Sequence, residues 1–179
     1  FEVSEVDEIV GVQSESEGIE SFEIEVIEPE QGAPEIGVID SGIMEGNKYI
    51  SSAIISENSK SYIRGDVSTA DYVRGGGHGT RVAGAILYPN GISNVSNPYQ
   101  LPCYVRNLRV LNQDNKLTDK LPAQLMQEII SDNEDCRVFN LSVNSCLPSR
   151  IKHMSSWAAT IDTLINEKNI LFLISAGNI

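Results

Sequence analysis

From Glu35 onward, short unbroken apolar runs alternate with stretches of helical period, and that alternation leaves few folds open. Ile36 to Ile39 is an apolar run that ends on Asp40. Arg81 to Leu87 begins a helical segment with Val82, Ala83, Gly84 and Ile86, and Val105 to Leu111 reads as a strand. Leu121 to Ser131 places Leu125, Met126, Ile129 and Ile130 on one helical face. Val138 to Val143 follows as a strand, Trp157 to Asn166 as a helix, and Ile170 to Ile174 as an entirely apolar strand. Parallel strands need crossover connections, and helices of this length supply them. Strands that are apolar throughout, rather than at every second position, fit a sheet covered on both faces. The expectation is a three-layer α/β fold, a mostly parallel sheet with helices on both faces. No internal repeat interrupts it.

Charge divides the chain differently. The net charge of −12 over 179 residues is concentrated at the start. Every charged residue from Glu2 through Glu30 is acidic, the first basic residue is Lys48, and the signs nearly balance from Gln31 onward. Residues 1–33 are therefore read as an acidic segment or linker, and residues 34–179 as the folded domain. Phe22, Ile24 and Val26 alternate with Glu23 and Glu25, as a half-exposed strand would. The segment is either a solvated tail or the remnant of an upstream pro-region packed on the domain. With no basic stripe to neutralise phosphates, nucleic acid is not an expected partner. No run approaches the ~20 apolar residues that span a bilayer, so no membrane partner is expected either. A chain that starts at Phe1 rather than Met reads as a piece of something longer.

Cys103, Cys136 and Cys146 are odd in number and lack metal-like spacing. They read as free thiols, or as one disulfide with a spare, and favour a reducing compartment such as the cytoplasm. Asn94-Val-Ser96 and Asn140-Leu-Ser142 match the glycosylation pattern, but the second lies in an expected core strand, and both are read as chance.

In an open parallel sheet, functional groups collect at the carboxyl ends of strands. Asp40 ends the first strand, Ser142 ends a middle one, and Asn178 follows the last. A buried strand that runs straight into a carboxylate needs a partner for it. Alone, such an Asp would more often cap a helix or bind a metal. His78 sits between Gly75-Gly-Gly77 and Gly79-Thr80, ahead of a helix whose first turns are small. Glycines let backbone approach closely, and a surface histidine would need none of them. His153 has no such frame and is read as an ordinary exposed residue. The glycine run is no phosphate cradle: it lacks the last glycine of a dinucleotide fingerprint, and no Gly-Lys-Ser/Thr follows.

Taken together, Val-Ile-Asp40-Ser-Gly, Gly-His78-Gly-Thr-Arg-Val-Ala-Gly and Ser175-Ala-Gly-Asn178 resemble the signatures of the subtilisin-like serine proteases, the subtilases, in the family's order. The resemblance runs from Glu35 to Ile179. It implies a subtilisin-like catalytic domain that hydrolyses peptide bonds by an Asp-His-Ser triad. Asp40 would fix the tautomer of His78, His78 would act as general base and then acid, and Asn178 would donate to the oxyanion. The family binds its peptide or protein substrate as an added strand. By resemblance, Ser142, Val143 and Asn144 line one side of the primary pocket, and Ser175, Ala176 and Gly177 the other. Asn144 stands where the family usually has glycine, and would narrow or re-polarise that pocket. Asn115 to Leu117 would form the opposite edge of the cleft, and Arg81 stands where histidine often follows the Gly-Thr. No cofactor is implied, and Tyr88 to Leu101 carries no aspartate cluster for calcium.

The family's serine lies in a Gly-Thr-Ser motif on a later helix, and none of these residues supplies one. The reading is thus a subtilase catalytic domain truncated before its nucleophile helix, inert alone; the alternative is a non-catalytic subtilase-like domain that binds peptides in the same cleft without cutting them. On the first reading, its partner would be the missing C-terminal part of the same domain. Without that part, apolar surface near Ile170 to Ile174 should stay uncovered, and the fragment should self-associate or recruit a replacement cover.

Overall fold

The computed structural model describes residues 23–73, 76–117, 120–143 and 153–175. In chain order the regular elements are β1 (Val26–Ile27), β2 (Glu35–Asp40), β3 (Lys60–Ser61), α1 (His78–Leu87), β4 (Tyr99–Gln100), β5 (Tyr104–Arg109), α2 (Pro122–Asp132), β6 (Val138–Leu141), α3 (Ser156–Lys168) and β7 (Leu171–Ile174). Five strands form one parallel sheet in the order β3-β5-β2-β6-β7. All its strands point the same way, so Asp40, Arg109, Leu141 and Ile174 finish on one edge. Helices α1 and α3 run a little longer than the sequence pattern suggests, and α2 keeps its length one residue further on. Pro122 opens α2, the Ser155 hydroxyl accepts the Ala158 N–H at 3.1 Å to open α3, and Asn169 closes α3 in the left-handed region.

Helices cover both faces, as expected. On one face, Ala83 and Leu87 of α1 pack with Val38 and Val105. On the other, Leu125, Met126, Ile129 and Ile130 of α2 and Ile161 and Leu164 of α3 pack with Ile39, Leu108 and Phe139. Phe139 and Phe172 stack there, with ring centroids 5.5 Å apart. At the far end of the sheet from Asp40, buried Arg106 donates to both oxygens of Asp135 (2.9 and 2.7 Å), to Asn133 (3.0 Å) and to Glu35. That fork ties the starts of β2 and β6 to the middle of β5, and it holds the Asp135 carboxyl below the usual range.

Coverage fails at β7. Phe172 is buried, but Leu171, Leu173 and Ile174 are 53%, 48% and 53% exposed. An entirely apolar strand suggests burial on both faces, yet α1 lies over β2 and no described element extends its layer to β7. Among the described residues, β6 is the sole strand neighbour of β7. An apolar edge of this kind is a template for association. Light scattering of the concentrated 179-residue chain should therefore find species larger than the 19.6 kDa monomer. A monodisperse monomer would count against that expectation.

The acidic segment is bound where it is described. Val26–Ile27 pairs in parallel with Tyr99–Gln100, away from the main sheet. Tyr99 N–H donates to the Glu25 carbonyl (2.9 Å), Leu101 N–H to that of Ile27 (3.0 Å), and the Tyr104 hydroxyl to that of Pro29 (3.1 Å). Asn97 adds both halves of its amide, accepting from Glu25 N–H and donating to the Glu23 carbonyl. Val26 packs against the core beneath α1. Deleting residues 1–33 should lower the melting temperature by about 5 °C. An unchanged melting curve would make the segment a linker.

Candidate functional site

Asp40 closes β2 with its side chain 1% exposed. A carboxylate buried this deeply needs donors, and it has them. Its Oδ1 accepts from the Ser41 N–H at 2.7 Å, and both oxygens stand 2.9 Å from Nδ1 of His78. His78 is the first residue of α1, with a side chain 36% exposed. A cation at a helix N-terminus is disfavoured by the helix dipole. Here the hydrogen bond that Nδ1–H donates to Asp40, the largest influence, holds the imidazole above its usual pKa against the opposing effect of burial. The charges of Asp40 and Asp71 push the same way, and Arg81 opposes them.

Glycines set the distance between strand end and helix. A Cβ on Gly79 would stand 2.1 Å from the Gly42 carbonyl oxygen and 3.3 Å from Asp40 Cβ. Gly42, at φ +107°, carries the next layer: its Cβ would stand 2.5 Å from the Thr69 carbonyl oxygen. That carbonyl accepts the Ile43 N–H (3.1 Å) and the Asn107 side-chain amide (2.9 Å). Gly77, at φ +83°, turns the chain into α1, and Thr80 Oγ1 accepts the Met44 N–H at 2.9 Å. Backbone 69–70, Gly42 and Gly79 therefore stack with no side chain between them. His78 reaches Asp40 because its helix can sit that deep.

Two contributors, Arg109 and Asp71, carry little sequence signal. Arg109, 1% exposed, donates from the end of β5 to Asp66 (2.8 Å) and to the carbonyls of Ser68 (2.8 Å) and Leu111 (3.3 Å), and lies 5.3 Å from the Tyr72 ring. The Ser68 N–H, helped by Arg109, holds the Asp66 carboxyl below the usual range. This fastening fixes the loop before His78 and presents Asp71, whose Oδ2 accepts from the Ser41 hydroxyl at 2.9 Å. Ser41 also stands 3.0 Å from Asp40 Oδ1 and accepts the Gly79 N–H at 3.1 Å. Ser41 sat inside a recognised motif. Asp71 is an isolated acid in a loop, and no spacing points to it.

The remaining candidates divide. Ser142 follows β6 and donates to Asn140 Oδ1 at 2.7 Å, and Val143 beside it is buried. The expected strand through Val143 thus ends at Leu141. Ser175 follows β7, and its N–H donates to the Leu141 carbonyl at 3.3 Å. Both lie on the sheet edge that carries Asp40. Asn144, Ala176, Gly177 and Asn178 lie outside the described residues. Asn115 takes φ 58° in a turn closed by an antiparallel bridge between Leu111 and Leu117. His153 is exposed. Cys103 and Cys136 are free thiols, and Cys146 lies outside the described residues. Among the described residues no three His, Cys, Asp or Glu gather as metal ligands would, and no helix is long and apolar enough to cross a membrane.

A family profile described as the subtilase family matches residues 32–179. The chain belongs to the subtilase family. This subtilase superposes on the crystal structure of a cold-adapted subtilisin-like serine proteinase with a TM-score of 0.56 at 18% identity, over 80% of this chain and 46% of that one. It superposes equally, at 0.56 and 20% identity, on the epidermin leader peptide processing serine protease EpiP of Staphylococcus aureus, over 84% of this chain and 38% of that one. At these identities the likeness is one of fold, and the chain spans less than half of each structure. Among curated proteins it is similar to the uncharacterised protein y4bN of Sinorhizobium fredii, 35% identical over 63 residues, which are 32% of this chain and 14% of that protein.

Proposed function

We propose that this chain is the N-terminal part of a subtilase catalytic domain that hydrolyses peptide bonds, with Asp40 and His78 as two members of its triad. The observation that carries the reading is the Asp40–His78 pair itself, both carboxylate oxygens 2.9 Å from Nδ1 of a half-exposed ring. Facing an acceptor, Nδ1 carries the proton of the neutral ring, which leaves Nε2 as the basic nitrogen. Nε2 then takes the proton of an attacking serine and returns it to the leaving amine, while Asp40 stabilises the imidazolium between those steps. Asn178 would donate its side-chain amide to the oxyanion. Ser142, Val143, Asn144, Ser175, Ala176 and Gly177 would line the peptide's primary pocket, at the ends of β6 and β7. Residues 34–179 would form the domain portion, with 1–33 as its acidic N-terminal extension.

These residues contain no Gly-Thr-Ser segment, so the serine is expected from outside them, and the 179-residue chain alone should be inert. The exposed side of β7 is where the rest of the domain would pack. The test is reaction of the protein extended past Ile179 with a fluorophosphonate probe, beside the 179-residue chain. Labelling of the first and not the second is expected. A folded extended protein that stays unlabelled, with no pro-region in the cleft, would instead indicate a domain that binds peptides without cutting them.

A further inference from the structure

We infer that Asp71 is a positioning residue for the Asp40–His78 pair, acting through the hydroxyl of Ser41. Its role in turnover rests on the protease reading above, whereas its effect on His78 does not. Ser41 Oγ stands 3.0 Å from Asp40 Oδ1 and 2.9 Å from Asp71 Oδ2, and one of its lone pairs accepts the Gly79 N–H at 3.1 Å. A hydroxyl has one proton and gives it to one acceptor at a time. Asp40 and Asp71 therefore compete for it. When Asp71 holds that proton, Asp40 keeps more of its negative charge for His78; without Asp71, the hydroxyl turns wholly to Asp40 and draws that charge off.

Asp71 is built into place independently of Ser41. Its Oδ1 accepts the Val73 N–H at 3.0 Å, and the loop before it is fastened by Arg109 and seated on Gly42. Among the described residues, the charged groups that act on His78 are Asp40 from β2, Asp71 from this loop and Arg81 from its own helix. Asp71 is among the influences that raise the imidazole's pKa, and Arg81 works against it. The arrangement supplies a second carboxylate, out of reach of the ring, whose influence is relayed by a hydroxyl.

The test is an NMR titration of the full-length protein carrying ¹³C-labelled histidine, with the His78 signal identified from His78→Gln. Asp71→Asn keeps the size and a hydrogen-bonding oxygen but loses the charge, and should move the His78 midpoint to lower pH. Asp71→Thr is the second variant should the amide not fold. In a Ser41→Ala background the same substitution should produce a clearly smaller shift, since the relay is gone. An unchanged midpoint in a folded Asp71 variant overturns the inference, and so does an equal shift with and without Ser41. In turnover, Asp71→Asn should lower kcat roughly tenfold with KM unchanged, which is about 1.4 kcal/mol of barrier. Asp71→Glu should restore part of it. A His78 shift in a protein that never labels with the fluorophosphonate would keep the inference and remove the protease reading.

Discussion

His78→Ala in the protein extended past Ile179 should lose fluorophosphonate labelling, and its kcat should fall on the order of 10⁶-fold, the scale on which subtilisin itself depends on its triad histidine. The reason is proton bookkeeping. A serine hydroxyl is a poor nucleophile until a base removes its proton, and the described site offers His78 for that task. Asp40 cannot stand in, because it is 1% exposed and turned toward the ring and Ser41. The wild-type pH profile carries the matching signature. On the proposed mechanism the base form of His78 is needed, and its pKa is raised, chiefly by Asp40. Activity should therefore fall as pH drops through a value above the ordinary histidine pKa of about 6.5. An acid limb at or below that value would contradict the pairing. His78→Ala that is folded by circular dichroism and still labels would remove His78 from the mechanism.

The second large effect is on stability. Gly79→Ala should cost about 3 kcal/mol or more and part His78 from Asp40, because the new Cβ would stand 2.1 Å from a backbone carbonyl oxygen that cannot swing aside. Gly84, in the same helix, is the control. Among the described residues nothing outside its own helix lies within 4 Å of a Cβ placed there, so Gly84→Ala should stabilise the protein by up to about 1 kcal/mol through helix propensity. Urea denaturation of the two variants separates packing from propensity. Equal midpoints would mean that α1 does not depend on its depth at Gly79.

How much of this could be read beforehand follows from where the information lies in the chain. Strands and helices of the core were legible because their apolar pattern is local: Leu125, Met126, Ile129 and Ile130 mark a helical face, and Ile36 to Ile39 a strand. Asp40 and His78 were legible because each sits in an unusual frame of neighbours, a buried strand end and a glycine run. Their meeting is non-local, as the residues lie 38 apart, and only the resemblance linked them. Asp71 and Arg109 escaped notice because their significance is wholly tertiary. A lone acid in a loop and a lone base at a strand end have no period, and each acquires meaning only when the loop folds back onto Gly42. The exposure of Leu171 and Leu173 was legible only from what the family would add beyond them, since an apolar strand reads the same whether or not a layer covers it.

The stack of backbone 69–70, Gly42 and Gly79 bears on the timing of catalysis. A junction made of main chain has no rotamers to freeze, so its ordering cost falls entirely within folding, where glycine loses the most backbone freedom. Once the domain has folded, acid and imidazole already stand 2.9 Å apart, which on the protease reading is their working separation before any peptide arrives. Substrate binding energy need not be spent drawing these two groups together. On the protease reading, any slow adjustment during a catalytic cycle would belong to the rest of the site, and not to this half of it.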